Sequence, residues 1–78
     1  MNDNEYKRYI DLYNFANNEL LELLSSRKLN VCLYNDAILN DEKNYYKSQI
    51  DVIDGKLNFI CQSQNLILQK LKRDLISF

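Results

Sequence analysis

The stretch Tyr46-Lys47-Ser48-Gln49-Ile50-Asp51-Val52-Ile53-Asp54-Gly55-Lys56-Leu57-Asn58-Phe59-Ile60-Cys61 decides the fold, because it satisfies two incompatible periodicities. As a strand pair, Asp54-Gly55 is a two-residue turn that sets Val52 opposite Leu57 and Ile50 opposite Phe59. The β-branched and aromatic content favours that reading, and a glycine costs a helix about 1 kcal/mol relative to alanine. As a helix, steps of four and three join Tyr46, Ile50, Ile53, Leu57, Ile60, Gln64, Ile67 and Leu71, and Leu75 and Phe78 continue the row. The strand pair leaves Ile53 and Ile60 on the opposite face and explains nothing downstream, whereas a single heptad register explains the whole run to the C-terminus. The pattern therefore predicts one long helix over about residues 43–77. The alternative is an α+β order of helix, small antiparallel sheet with a hairpin at residues 54–55, and helix.

Upstream, the segment from Glu5 to Ser26 carries the cleanest amphipathic pattern in the chain. At ~100° per residue, Tyr6, Tyr9, Ile10, Leu12, Tyr13, Ala16, Leu20, Leu21, Leu23 and Leu24 share one half of the wheel, and Lys7, Asp11, Asn14, Asn18, Glu22 and Ser25 the other. A helix over about residues 5–26 follows, with Asp3 or Asn4 as its cap. Arg27 and Lys28 suit a helix C-terminus and Asn30 a left-handed stop, so a turn is expected at about residues 27–30. Val31, Tyr34, Ala37 and Ile38 then recur at helical spacing, although Leu29, Val31 and Leu33 also alternate as a strand would. A helical segment over about 31–40 precedes the polar stretch from Asn40 to Asn44.

These elements make a single all-α domain spanning 1–78, a helical hairpin with a long C-terminal amphipathic helix. Val52, Phe59 and Leu66 form a second apolar row beside the first, at intervals of seven. A first helix that ends near Ser26 is too short to cover its partner, so self-association is expected through Tyr46, Ile50, Ile53, Leu57, Ile60, Gln64, Ile67 and Leu71. The simplest product is a dimer with a coiled-coil or four-helix arrangement. Gln64 is then a buried polar position that can fix register, or a rim position that meets water.

Composition narrows the chemistry. At 78 residues the chain holds one domain, and 46% hydrophobic with 27% charged residues is an ordinary soluble balance. Ten Lys+Arg against eleven Asp+Glu announce neither a polyanion-binding surface nor a nucleic-acid mimic. Histidine, tryptophan and proline are absent and Gly55 is the only glycine, so histidine catalysis and phosphate-cradling loops have no raw material. Cys32 and Cys61 lack zinc or redox spacing and are expected to be free, small, buried hydrophobes in a reducing cytoplasm. Asp51 and Asp54 could share a helix edge but have no third ligand nearby. No catalytic residue, metal or cofactor is expected. The N-terminus lacks the order of a signal peptide, and no apolar run approaches the ~20 residues of a membrane span.

Two features point to partners. The six tyrosines lie where helices would meet neighbours, and tyrosine combines large contact area with a polar tip. Tyr13 and Tyr46 suit the core, whereas Tyr6, Tyr9 and Tyr45, with Val52, Phe59 and Leu66, suit a surface that binds another protein. The basic residues fall in three groups, Lys7-Arg8, Arg27-Lys28 and Lys70 with Lys72-Arg73. Lys70, Lys72 and Arg73 are the contacts of the alternative reading, a small dimeric nucleic-acid-associated regulator. A structural coiled-coil subunit of a larger assembly is a further alternative. Abundant asparagine, isoleucine, lysine and tyrosine, with alanine only at Ala16 and Ala37, suit an AT-rich genome such as that of a low-GC bacterium, phage or large virus. The leading expectation is a cytoplasmic, non-enzymatic helical interaction module, acting as a regulator or inhibitor that binds a host protein.

Overall fold

The computed structural model describes residues 2–76, without the side chains of 74–76. Two helices, α1 (Asp3–Asp36) and α2 (Asn40–Ile76), fold back on each other as a hairpin, joined by residues 37–39. Phe78 lies outside the described residues. Among the described residues no strand is present, and Asp54 and Gly55 lie inside α2 with no positive φ. The tight strand turn needs that left-handed geometry. Helix wins over local strand preference because it carries both Ile53 and Ile60 into the interface, where they are buried.

The expected turn at residues 27–30 is absent, and α1 runs through it. The residues read as stop signals are used otherwise. Arg27 pairs with Asp54 on the opposite helix, and Asn30 Nδ2 donates to the Ser26 carbonyl within α1 at 2.8 Å. The chain reverses at Ala37, whose extended backbone still donates its N–H to Leu33 and Tyr34 carbonyls. Acidic Asp41 and Glu42 then favour the N-terminus of α2. Reversal at this point yields arms of 34 and 37 residues, so the α2 row from Tyr46 to Leu71 has α1 beside it along its length. The mismatch in helix length that predicted self-association therefore does not exist. The start of α1 also differs from expectation, since Asn2 rather than Asp3 or Asn4 is the cap, its Oδ1 accepting from Glu5 N–H at 2.8 Å.

Both helices present heptads to the seam. On α1 the half-buried Tyr9, Tyr13, Ala16, Leu20, Leu23, Arg27, Asn30 and Tyr34 follow steps of four and three. On α2 the seam is the row from Tyr46 to Leu71, with Ile53, Ile60, Gln64 and Leu71 most deeply covered. Cross-helix contacts keep one antiparallel register from end to end. Lys43 lies over the Tyr34 ring near the turn, Arg27 meets Asp54 mid-way, Gln64 Nε2 reaches the Tyr13 carbonyl, and Lys70 lies over the Tyr9 ring toward the open end. The hairpin is a rod of 59 × 15 × 12 Å with a radius of gyration of 17.6 Å. A globular chain of this length would have about 11.5 Å.

Candidate functional site

All eight residues expected to drive self-association lie on the α2 seam, where they face α1. Within one chain this row closes the hairpin, so the surface left for a partner is another one. The second row supplies it. Tyr45, Val52, Phe59 and Leu66 are 60%, 54%, 71% and 67% exposed, at intervals of seven along one side of α2. Tyr45 packs edge-on against Tyr46, with ring centroids 5.4 Å apart, which steadies a ring at the head of the row. Of the α1 tyrosines in the expected partner surface, Tyr6 is 48% exposed, whereas Tyr9 is half-buried beneath the Lys70 ammonium at 5.0 Å.

A shallow groove of about 720 Å³ lies beside Val52 and Phe59 of this row. Val52, Gly55, Lys56 and Phe59 form its α2 wall, Glu19, Glu22 and Ser26 its α1 wall, with Leu23 and Ile60 of the seam beneath. These residues fix which sides of the two helices share a face. Steps of seven from Glu19, Glu22 and Ser26 reach Leu12, Phe15, Leu29 and Leu33, all exposed. The apolar face thus includes both helices and is wider than the sequence reading allowed. Leu29 and Leu33 were hidden by the misplaced turn, which separated them from the register of α1. Continuing that register through Arg27 to Tyr34 would have found them.

The remaining sequence candidates do not assemble into a reactive site. Asp54 is held by Arg27, Nε to Oδ1 at 2.6 Å and Nη2 to Oδ2 at 3.5 Å, while Asp51 is exposed. The hydrogen bond that Arg27 donates to Asp54, and then the carboxylate charge, raise the Arg27 pKa above its ordinary value. Cys32 and Cys61 are free, but both are exposed, contrary to the expected burial. The ~100° step from Ile60 carries Cys61 off the seam, and two helices offer no third neighbour to cover it. Among the described residues, no group of three or more His, Cys, Asp or Glu could hold a metal ion, and no helix is long and apolar enough to cross a membrane.

The antiparallel course brings Lys70, Lys72 and Arg73 to the same end as Lys7 and Arg8, but leaves Arg27 and Lys28 far along the rod. Carboxylates interleave with this basic end. Glu5 shares a small cleft with Arg8 and Lys70, and Asp3 and Asp11 lie on the same stretch of α1. Lys70 is engaged with Tyr9, and Lys72 and Arg73 are exposed. No protein-family model, no curated protein and no solved structure matches the chain.

Proposed function

We propose that this protein is a non-enzymatic helical interaction module that docks a polypeptide on the apolar face of its hairpin. The supporting observation is the exposed row Tyr45, Val52, Phe59 and Leu66, beside a groove whose α1 wall is continued at steps of seven by the exposed Leu12, Phe15, Leu29 and Leu33. Large apolar side chains left in water at regular intervals suit an interaction surface, because their exposure is costly. Large apolar side chains at intervals of seven suit an incoming helix, which presents its own side chains at matching intervals. The acidic wall at Glu19 and Glu22 and the basic Lys56 opposite give such a helix an orientation. A chain without histidine, whose thiols are exposed and whose carboxylates are dispersed, suits binding rather than catalysis. Free thiols suit a reducing compartment such as the cytoplasm, where the module would act as a regulator by occupying a partner's surface.

The test is photo-crosslinking in the source cell with a benzophenone amino acid in place of Phe59, and in a control in place of Asn18, which is exposed outside this face. Discrete adducts at position 59, absent at position 18 and lost on adding Leu66→Asp, are expected. Equal labelling at both positions, or none at position 59, would overturn the docking role.

A further inference from the structure

We infer that the occupant of this face is a second copy of the same chain, its α2 laid antiparallel so that Phe59 of each chain packs over Gly55 of the other. This deepens the docking role proposed above and rests on it. Gly55 is the first argument. It has no positive φ, and a Cβ built on it meets nothing within 4 Å. The single chain therefore gives no reason for one of the weakest helix-forming residues in the middle of its longest helix. A glycine in such a place allows another chain to approach closely. In the groove Gly55 lies between Val52 and Phe59, leaving a notch between two large side chains.

The second argument is the pattern along this side of α2. Tyr45, Val52, Phe59 and Leu66 alternate, at steps of three and four, with Ser48, Gly55, Gln62 and Gln69, and the row contains no charge. With Phe59 over Gly55 in antiparallel order, Leu66 falls opposite Ser48, Val52 opposite Gln62 and Tyr45 opposite Gln69. Phe59 and Leu66 then meet the small Gly55 and Ser48, as interlocking packing requires, and Val52 and Tyr45 meet uncharged glutamines. Parallel order would set Phe59 against Phe59 and leave a void between two glycines.

Charge and area agree. Among the described residues, neither Glu19, Glu22 nor Lys56 has an ion-pair partner within the chain. A second α2 in the groove brings its Lys56 alongside the Glu19 and Glu22 wall, and the two-fold axis repeats the contact. The chain exposes 6370 Å². A compact chain of its mass exposes about 5,000 Å². The row from Tyr45 to Gln69 runs about 36 Å at ~1.5 Å per residue, more than half the length of the 59 Å rod.

The experiment uses the full chain. Light scattering should give twice the 9.3 kDa chain mass. With Cys32→Ser and Cys61→Ser as background, spin labels attached through Asn58→Cys or, separately, Asn44→Cys report the register. Position 58 lies beside the expected two-fold axis and should give a distance under about 20 Å, whereas position 44 should give roughly 40 Å at ~1.5 Å per residue. Gly55→Leu should keep the helical spectrum but weaken the dimer about tenfold or more, since leucine fills the space that Phe59 of the second copy needs. Similar short distances at both positions would overturn the antiparallel order, and an undiminished dimer in Gly55→Leu would overturn the notch. A monomer that still gives position-59 adducts with another polypeptide would overturn self-pairing and leave the docking role standing. A monomer without adducts would overturn both.

Discussion

Two rows of side chains run the length of α2, one position apart, and they meet different fates. The row from Tyr46 to Leu71 is apolar at every step but Gln64, and α1 covers it. The row of Tyr45, Val52, Phe59 and Leu66 is apolar only at every seventh residue, and it is left in solvent. A hairpin has one seam, so the denser row wins it, because area removed from water scales with the number of apolar groups covered. The sparser row is then free to act between molecules. Heptad spacing alone does not say whether a stripe closes a chain on itself or joins it to another. The length of the intramolecular partner decides that, and α1 is long enough.

Placing the same charge on each row, at neighbouring residues, gives the largest expected effect. Ile60→Asp puts an unpaired carboxylate into the seam at a position 8% exposed. Breaking a buried site in this way costs about 3–5 kcal/mol, which a two-helix chain with few buried residues cannot absorb, so circular dichroism should show loss of helix. Phe59→Asp should keep the helical spectrum and lose association, read by sedimentation. If both variants unfold, or both leave association intact, the division between the rows is wrong.

A smaller effect is expected where the seam departs from its own pattern. Gln64 is 9% exposed, and its one hydrogen bond, to the Tyr13 carbonyl, is long at 3.5 Å. A bond at the distance limit returns little of the cost of burying an amide. Gln64→Leu should therefore raise hairpin stability by about 1 kcal/mol in a urea melt. Polar seam residues also fix register, so the same variant should broaden the resonances of neighbouring residues. A drop in stability would mean that the Gln64 bond is stronger than its length implies.

How far the sequence foretold this structure depends on whether a signal was periodic or local. The α2 seam was legible because one register held from Tyr46 to Leu71, which outweighed the hairpin signal at Asp54-Gly55. The break was not legible, because Arg27 and Asn30 have the chemistry of a helix end and serve here as a cross-helix partner and an intrahelical donor. No proline or second glycine marks the actual reversal, where Ile38 and Leu39 are exposed apolar residues rather than turn formers. The part of the apolar face beyond Arg27 went unread for the same reason. Tyr45, Val52, Phe59 and Leu66 followed from α2 alone, but Leu29 and Leu33 required α1 to continue past Arg27.

The smallest expected effect sharpens the comparison at the Arg27–Asp54 ion pair. Arg27 occupies a seam position on α1, yet its side chain is 41% exposed and that of Asp54 43%. A pair so open to water is weak and easily screened. Arg27→Leu exchanges it for apolar cover over the seam, and the melting temperature should rise slightly. Added salt should widen the gap, since only the wild type has a pair to lose. The pH dependence follows from the raised Arg27 pKa. The folded chain holds this proton more tightly than the unfolded chain, so the stabilisation is fully present below the unfolded arginine value and is lost only as pH rises through the folded one. Arginine does not titrate between about pH 6 and 9, so the difference in melting temperature should stay constant across that range. A melting temperature that falls in Arg27→Leu would make the ion pair, rather than apolar cover, the main contribution at the middle of the seam.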